Sequence, residues 1–307
     1  MKKMKALVTG GAGFIGSHIA QELVARSYDV IVIDDLSTGK IDNIEELISK
    51  AEIEFVLGNV TDLSLLKRIS ENVDYIFHEA AIASVPRSID NPLVSHVVNV
   101  TGTLNVLMAA AGNHVKKVIY ASSCAIYGNN SVVPNREDIA PDPQSPYAVT
   151  KLAAEYYCDV FNRVYGLPTI CLRYFNVYGS RQDHNSQYAA VIPKFIQRIL
   201  DGKSPVIYGD GEQSRDFVFV KDIVEANLLA AESEFRGVFN IGTGESYSLN
   251  QLADILARIK GSTIRPIYEA PRVGDVRHSV ADISKAKMLD FNPKYKLESG
   301  LRQILLP

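Results

Sequence analysis

Thr9-Gly10-Gly11-Ala12-Gly13-Phe14-Ile15-Gly16 follows directly on a short apolar run at 5–8 and opens an amphipathic stretch near 14–27. A glycine triplet alone is weak evidence; a strand before it and a helix after it give it meaning. Gly10 permits a tight turn, Gly13 lets the backbone approach a diphosphate, and Gly16 lets the helix lie close to the sheet. The first N–H groups of that helix and its dipole favour an anion. The alternative is a glycine turn that binds nothing. The next apolar run, 30–33, ends in Asp34-Asp35. An acid about 20 residues past the turn accepts hydrogen bonds from an adenosine ribose. A carboxylate there repels a 2′-phosphate, so the pattern points to NAD rather than NADP.

Working outward, apolar runs at 53–57, 75–77, 118–121 and 169–172 also read as strands. They are continuous rather than alternating, as strands covered on both faces are. Helical patterns lie between them near 43–49, 63–71, 91–112 and 146–165. This alternation implies an α/β fold with a doubly wound parallel sheet. The second half is less regular, with helical stretches near 189–201, 221–232, 248–260 and 282–289 and strands at 216–220 and 238–241. We expect a dinucleotide-binding domain at 1–173 plus about 218–242. A smaller, interleaved substrate domain takes 174–217 and 243–307. The stretches near 91–112 and 146–165 are apolar nearly all round. Either other elements cover them, or they form the interface of a homodimer.

The balance of the 307 residues, 47% hydrophobic and 22% charged with a net charge of −3, excludes a disordered chain. No global field attracts nucleic acid or a membrane surface. Three cysteines without a CxxC pair and six scattered histidines give no metal pattern and fit a reducing cytoplasm. No apolar stretch approaches the roughly 20 residues of a membrane span. The basic N-terminus is cut at Thr9-Gly10-Gly11, too early for a signal peptide.

Tyr147 and Lys151 stand four apart behind Ser145-Pro146, a helix-start signal that places both on one face. The fifth strand ends in Ser122-Ser123-Cys124, and strand ends are where open parallel sheets bind ligands. A phenol titrates near 10 and is a poor base at neutral pH. A neighbouring ammonium and an oxidised nicotinamide lower that value. Tyr147 then removes a hydroxyl proton as a hydride leaves the same carbon, and Ser123 orients the hydroxyl and relays the proton.

These segments resemble the extended short-chain dehydrogenase/reductases, in particular the UDP-hexose 4-epimerases of the NAD-dependent epimerase/dehydratase group. The likeness runs through TGGAGFIGSH from Thr9, HEAAIASVPRS from His78, ASSCAIYG from Ala121 and SPYAVTK from Ser145. It continues through RYFNVYG from Arg173, SRDFVFVKD from Ser214 and PRVGDVRHSVAD from Pro271. The resemblance implies Ser123, Tyr147 and Lys151 as the catalytic trio. For the cofactor it implies Gly10, Gly13, Phe14, Ile15 and Gly16 at the diphosphate, and Asp34, Asp35, Ser37, Thr38 and Gly39 around the ribose. Asn59 and Val60 belong by the adenine, and Ala80, Ala81, Ala83, Asn99, Ser122 and Phe175 on the nicotinamide side. Asn59 departs from the family's usual Asp, though its amide oxygen still accepts from the adenine amino group. For a UDP-sugar it implies Asn176, Arg215, Arg272 and Asp275 at the diphosphate and ribose, and Val191 and Tyr208 by the uracil. Arg215 and Arg272 carry the fork donors suited to phosphate.

Within this resemblance the reaction follows from what is missing. Dehydratases of the family carry Asp-Glu after the catalytic hydroxyl, and decarboxylases a Glu; here Cys124 and Ala125 follow Ser123. Reductases usually prefer NADP, which Asp34 disfavours. That leaves interconversion of UDP-glucose and UDP-galactose. The family's gate beside the hexose C2 group falls on Ser279, whose small side chain admits the N-acetylated pair too. The alternatives are a UDP-glucuronate 4-epimerase, with Arg87 or Arg181 meeting the carboxylate, and a catalytically silent sugar-nucleotide-binding protein.

Overall fold

The computed structural model describes residues 3–130, 132–183, 190–271 and 276–306. Six strands come first: β1 (Lys5–Thr9), β2 (Asp29–Asp34), β3 (Ile53–Leu57), β4 (Tyr75–His78), β5 (Lys117–Ser123) and β6 (Thr169–Tyr174). The helices between and after them are α1 (Phe14–Ala25), α2 (Glu45–Ser49), α3 (Leu63–Ile69), α4 (Val85–Asp90), α5 (Pro92–His96), α6 (Gly102–Gly112) and α7 (Pro146–Val164). Then come β7 (Asn176–Tyr178), α8 (Val191–Leu200), β8 (Val206–Tyr208), β9 (Ser214–Arg215), β10 (Phe217–Phe219) and α9 (Val220–Glu232). The chain continues through β11 (Gly237–Ile241), β12 (Tyr247–Ser248), α10 (Leu249–Lys260), β13 (Ile267–Glu269), β14 (His278–Ser279) and α11 (Leu297–Leu305).

Seven strands make one all-parallel sheet, ordered β3-β2-β1-β4-β5-β6-β11. The order reverses direction between β1 and β4, the crevice where such sheets bind ligands. One face is covered by α1, α2 and α9, with Ile19, Leu23, Ile223 and Leu228 in its core. The other is covered by α3, α6 and α7 around Leu66, Val106, Leu107, Cys158 and Phe161. A third core, built on Phe195, Phe217, Leu252 and Leu301, joins α8, α10 and α11 to the small strands.

Local chemistry sets several boundaries. Ser145 Oγ caps α7 by accepting from Ala148 N at 3.2 Å, with Pro146 in the first turn. Ser248 and Gln251 form a reciprocal capping box on α10. Ser84 Oγ accepts from Arg87 N and starts α4, an element the sequence reading did not anticipate. The expected helix at 91–112 is interrupted by a π-turn at Val97–Thr101, and the one at 282–289 reduces to a 3-10 turn, Ala286–Leu289. The expected strand at 216–220 is β10 alone, because Val220 already opens α9. β3 is an edge strand with Glu54 and Leu57 exposed, so its apolar run is not covered on both faces.

One exclusion needs correction. Pro92–Gly112 is 21 residues with mean hydropathy 1.4, long and apolar enough to cross a membrane by length and composition. It is a core helix here: 56% of that window is buried, and Asn99, Thr103 and Asn105 make buried hydrogen bonds.

Candidate active site

The glycine turn closes as its spacing requires. Gly10 has φ +67°, and a Cβ on it would stand 2.7 Å from Ala80 N across the crevice. A Cβ on Gly16 would meet Gly10 O at 2.3 Å, so α1 presses on the turn. Gly10→Ala adds left-handed strain and a backbone clash, which together cost about 2 kcal/mol. The expected result is a lowered melting temperature and loss of bound dinucleotide on gel filtration.

The first turn of α1 has neither a capping side chain nor an acidic residue among the described residues, which leaves its N–H groups for an anion. Asp34 is buried at the end of β2 and accepts from Ala12 N at 3.0 Å and Leu36 N at 2.8 Å. Burial raises its pKa against those bonds. Gly39 lies so close that a Cβ there would touch both Asp34 oxygens at 2.8 Å. The 35–40 loop folds back on the turn through Lys40 N and Asn43 Nδ2, both donating to Ala12 O at 3.0 and 2.8 Å. Ser37 and Thr38 are exposed on that loop. A cradle that excludes a Cβ at Gly10, Gly16 and Gly39, beside a buried carboxylate and an uncapped helix, fits a dinucleotide.

Asn59 Nδ2 donates to Asp35 Oδ2 at 2.6 Å, and its Oδ1 accepts from Thr61 N and Oγ1 at 2.9 and 2.8 Å. The amide oxygen expected to face an adenine is thus already engaged by Thr61. Val60 is buried beside it.

At the crevice floor a chain of hydrogen bonds joins β1, β4 and α6. Ala80 N donates to Thr9 Oγ1 (3.2 Å), Thr9 to His78 Nδ1 (2.7 Å), His78 Nε2 to Thr103 Oγ1 (2.9 Å), and Thr103 to Asn99 O (2.6 Å). This donor order satisfies each group and makes the imidazole neutral. Burial pushes the His78 pKa down to about 3, and Lys151 acts in the same direction. Asn99, on the π-turn, accepts from Ile82 N at 2.8 Å and donates to Thr150 Oγ1 at 3.0 Å. It thereby pins the segment carrying Ala81 and Ala83. Glu79, unassigned from sequence, is bonded by the Tyr174 hydroxyl at 2.8 Å, and burial pushes its pKa up to about 7.

The trio assembles where β5 ends and α7 begins. Tyr147 N donates to Ser88 Oγ of α4 at 3.0 Å. Ser123 Oγ accepts from Ala125 N at 3.1 Å, which leaves its proton for the phenol oxygen of Tyr147. Lys151 is buried and donates Nζ to Ala121 O at 2.7 Å, with Nζ 5.9 Å from the Tyr147 ring centre. Burial pulls its pKa down to about 8, with Glu79 and Glu155 opposing. Without the oxidised nicotinamide that the expectation also invokes, the Tyr147 pKa is raised rather than lowered. The ammonium points at a carbonyl, and burial holds the phenol up at about 12 against the Ser123 bond. Ser122 turns away from the crevice, its hydroxyl donating to Glu155 at 2.5 Å.

β14 brings the remaining residues in. Ser279 pairs in register with Arg215 of β9, and its hydroxyl bonds the Cys124 thiol, next to Ser123. Asn176 N and Nδ2 donate to Asp216 O at 2.9 and 3.2 Å. Phe175 is buried against Tyr127. Val191 opens α8 and Tyr208 ends β8, in the outer layer. Arg272 and Asp275 lie outside the described residues. Among the described residues no group of three or more His, Cys, Asp or Glu is arranged to hold a metal.

The fold and this site define a dinucleotide-dependent protein of the short-chain dehydrogenase kind. The chain belongs to the NAD dependent epimerase/dehydratase family, whose pattern it matches over residues 6–242. It is 40% identical to a putative UDP-glucose 4-epimerase of Methanocaldococcus jannaschii, covering 97% of this chain and 96% of that protein. It is similar to the solved UDP-N-acetylglucosamine 4-epimerase of Methanobrevibacter ruminantium M1, in complex with UDP-N-acetylmuramic acid, at 45% identity and TM-score 0.96, with 99% and 98% of the two chains covered. It is also similar to the UDP-glucuronic acid 4-epimerase of Bacillus cereus, solved with UDP-glucuronic acid and NAD, at 33% identity and TM-score 0.90, with 97% of each chain covered. NAD is the family's cofactor.

Proposed function

We propose that the protein is a UDP-hexose 4-epimerase that interconverts UDP-glucose and UDP-galactose and accepts the N-acetylated pair. The observation that carries this is Ser123 at the end of β5 brought beside Tyr147 and buried Lys151 of α7, with Cys124 and Ala125 where other reactions of this chemistry need carboxylates. Small Ser279 beside Cys124 supports room at the sugar's C2. NAD, which Gly10, Gly13, Gly16 and Asp34 would hold, would supply the acceptor and donor for the C4 hydride, and its oxidised ring would favour the phenolate. Tyr147 Oη takes the O4 proton, directly or through Ser123, and gives it back when the 4-keto sugar has turned over. Lys151, held on Ala121 O with Nζ 5.9 Å from the ring centre, adds positive charge beside the phenol of the loaded site; Arg215 meets the diphosphate. Residues 1–173 with about 218–242 serve NAD, and 174–217 with 243–307 the UDP-sugar.

The test is incubation of the purified protein with UDP-galactose, UDP-N-acetylglucosamine or UDP-glucuronate, without added NAD, followed by product analysis. Conversion of the first two supports the reading; turnover of the uronate alone overturns it. The uronate reading draws on Arg87, one residue before the Ser88 that holds Tyr147. Arg181 supports it less, since it donates to Gln21 of α1 at 2.7 Å.

We infer also that the protein is a cytoplasmic homodimer. Leu93, Val94 and Val97 on one side and Val149, Tyr156 and Val164 of α7 on the other are exposed, with Leu93 at 72% and Val164 at 70%. α5 and α7 pack side by side, so these residues form one apolar face. Leu93→Asp with Tyr156→Asp should convert the dimer to a monomer by light scattering, while an unchanged mass would place the interface elsewhere.

A further inference from the structure

On the sheet side of α7, behind the trio, lies an ion pair to which the reaction above gives no task. The Glu155 and Arg173 side chains are 4% and 5% exposed. Arg173 Nε donates to Glu155 Oε1 at 2.9 Å and Nη2 to Oε2 at 2.7 Å. Ser122 Oγ donates to the same Oε1. The guanidinium carbon sits 4.8 Å from the Tyr127 ring centre, and the Tyr127 hydroxyl donates to Asn240 Oδ1 at 2.6 Å. A buried pair is weak as a source of net stability, because desolvation offsets its attraction. Its reason must therefore lie elsewhere.

Its placement supplies one. Tyr147, Lys151 and Glu155 recur every four residues of α7 and stack on one face. Ser122, which Glu155 holds, lies between Ala121, whose carbonyl takes Lys151 Nζ, and Ser123, which bonds Tyr147. We propose that Glu155, clamped by Arg173, is a positioning residue for the trio: it faces Lys151 along α7 and, through Ser122, fixes the strand end that holds Lys151 Nζ and from which Ser123 reaches Tyr147. This rests on the epimerase reading for what the trio does, but not for how it is held.

The groups facing Lys151 can be named element by element. Glu79 after β4 favours its charged form most and Glu155 of α7 next, both against burial; the thiols of Cys158 on α7 and Cys171 on β6 also face it. His78 of β4 is neutral. The Tyr120 ring of β5 lies 5.0 Å from Nζ and the Tyr147 ring 5.9 Å. Only Glu155 is tied both to this face and, through Ser122, to β5.

The test follows the titration of Lys151 itself by NMR of ε-13C-lysine, with Lys151→Met identifying its signal. Glu155→Gln should lower the midpoint by about one pH unit, as loss of a nearby carboxylate does, and Glu155→Asp should restore most of it. Because Glu155→Gln leaves Arg173 without its counter-charge, the double variant Glu155→Met/Arg173→Met provides a second, apolar core; it removes a cation together with the carboxylate, so a smaller shift in the same downward direction is expected there. In activity, kcat should fall at least tenfold with KM for the UDP-sugar within about threefold, since the pair lies behind the trio. A Lys151 midpoint equal to wild type in whichever of these variants folds overturns the proposal. A wild-type protein that turns over no UDP-hexose overturns the epimerase reading instead.

Discussion

Tyr147→Phe is expected to lower kcat about 1,000-fold, within the range that a positioned acid-base group contributes, and to leave KM for the UDP-sugar nearly unchanged. The substitution deletes one oxygen. What holds the residue in place stays: its backbone N–H still donates to Ser88 Oγ, and the ring keeps its place over Lys151. What disappears is the group to which Ser123 gives its proton. Ser123 has a second bond from Ala125 N and does not move to fill the gap. The unliganded phenol is held at about 12, so near neutral pH it is protonated and the base forms only in the loaded site. The variant should therefore fail in both directions of the reaction, with UDP-glucose and UDP-galactose losing rate equally. Stopped assays with both sugars check this. A kcat within tenfold of wild type would remove Tyr147 from the chemistry.

Much of the sheet was legible because its strands are short apolar runs bounded by turn chemistry, and β1, β2, β4, β5 and β6 fall within a residue or two of those runs. The failures have physical causes. α4 is six residues long with one buried position, Ser88, so it carries no apolar period to read; its signal was Ser84 followed by Pro86, a cap without a stripe. The π-turn at Val97–Thr101 is invisible to a 3.6-residue pattern because one widened turn, carrying Val97, Val98 and Val100, does not interrupt the apolar run. β7, β9, β12 and β14 are two or three residues each, shorter than any periodicity can mark.

In the site, residues whose placement depends on backbone reach were readable from spacing: Gly10, Gly16, Asp34, and the Tyr147–Lys151 pair. Residues whose role depends on a partner distant in sequence were not. Glu79 acquires its raised pKa from burial at the crevice, beside Tyr174, 95 positions away. Ser122 reads as a strand-end hydroxyl, yet its direction is set by Glu155 on another element. The same limit applies to the phenol of the unliganded site. Spacing put an ammonium near Tyr147 but could not show that its protons go to Ala121 O.

Ser279→Tyr is expected to reduce kcat/KM for UDP-N-acetylglucosamine and UDP-N-acetylgalactosamine at least 100-fold while sparing UDP-glucose and UDP-galactose within about fivefold. A site that must hold an added group loses several kcal/mol when that space is filled, and 100-fold corresponds to about 2.7 kcal/mol. Ser279 is 9% exposed, bonded to the Cys124 thiol and paired with Arg215 across β9. A phenol there cannot turn into the sheet, which Arg215 and Asp216 occupy, so on the proposed reading its ring projects past Cys124 into the space assigned to the C2 group. On the gate reading the unsubstituted hexoses should tolerate the ring, because their C2 carries only a hydroxyl. Arg215 stays in register because β14 donates and accepts through its backbone, as in Asp216 N to Ser279 O at 2.8 Å. Equal losses with all four sugars would mean that the ring disturbs Arg215 rather than the C2 space. Retained N-acetyl turnover would mean that the C2 group points elsewhere. Ser279→Ala separates these outcomes, since it removes the thiol contact without adding bulk and should leave the order of the four sugars unchanged.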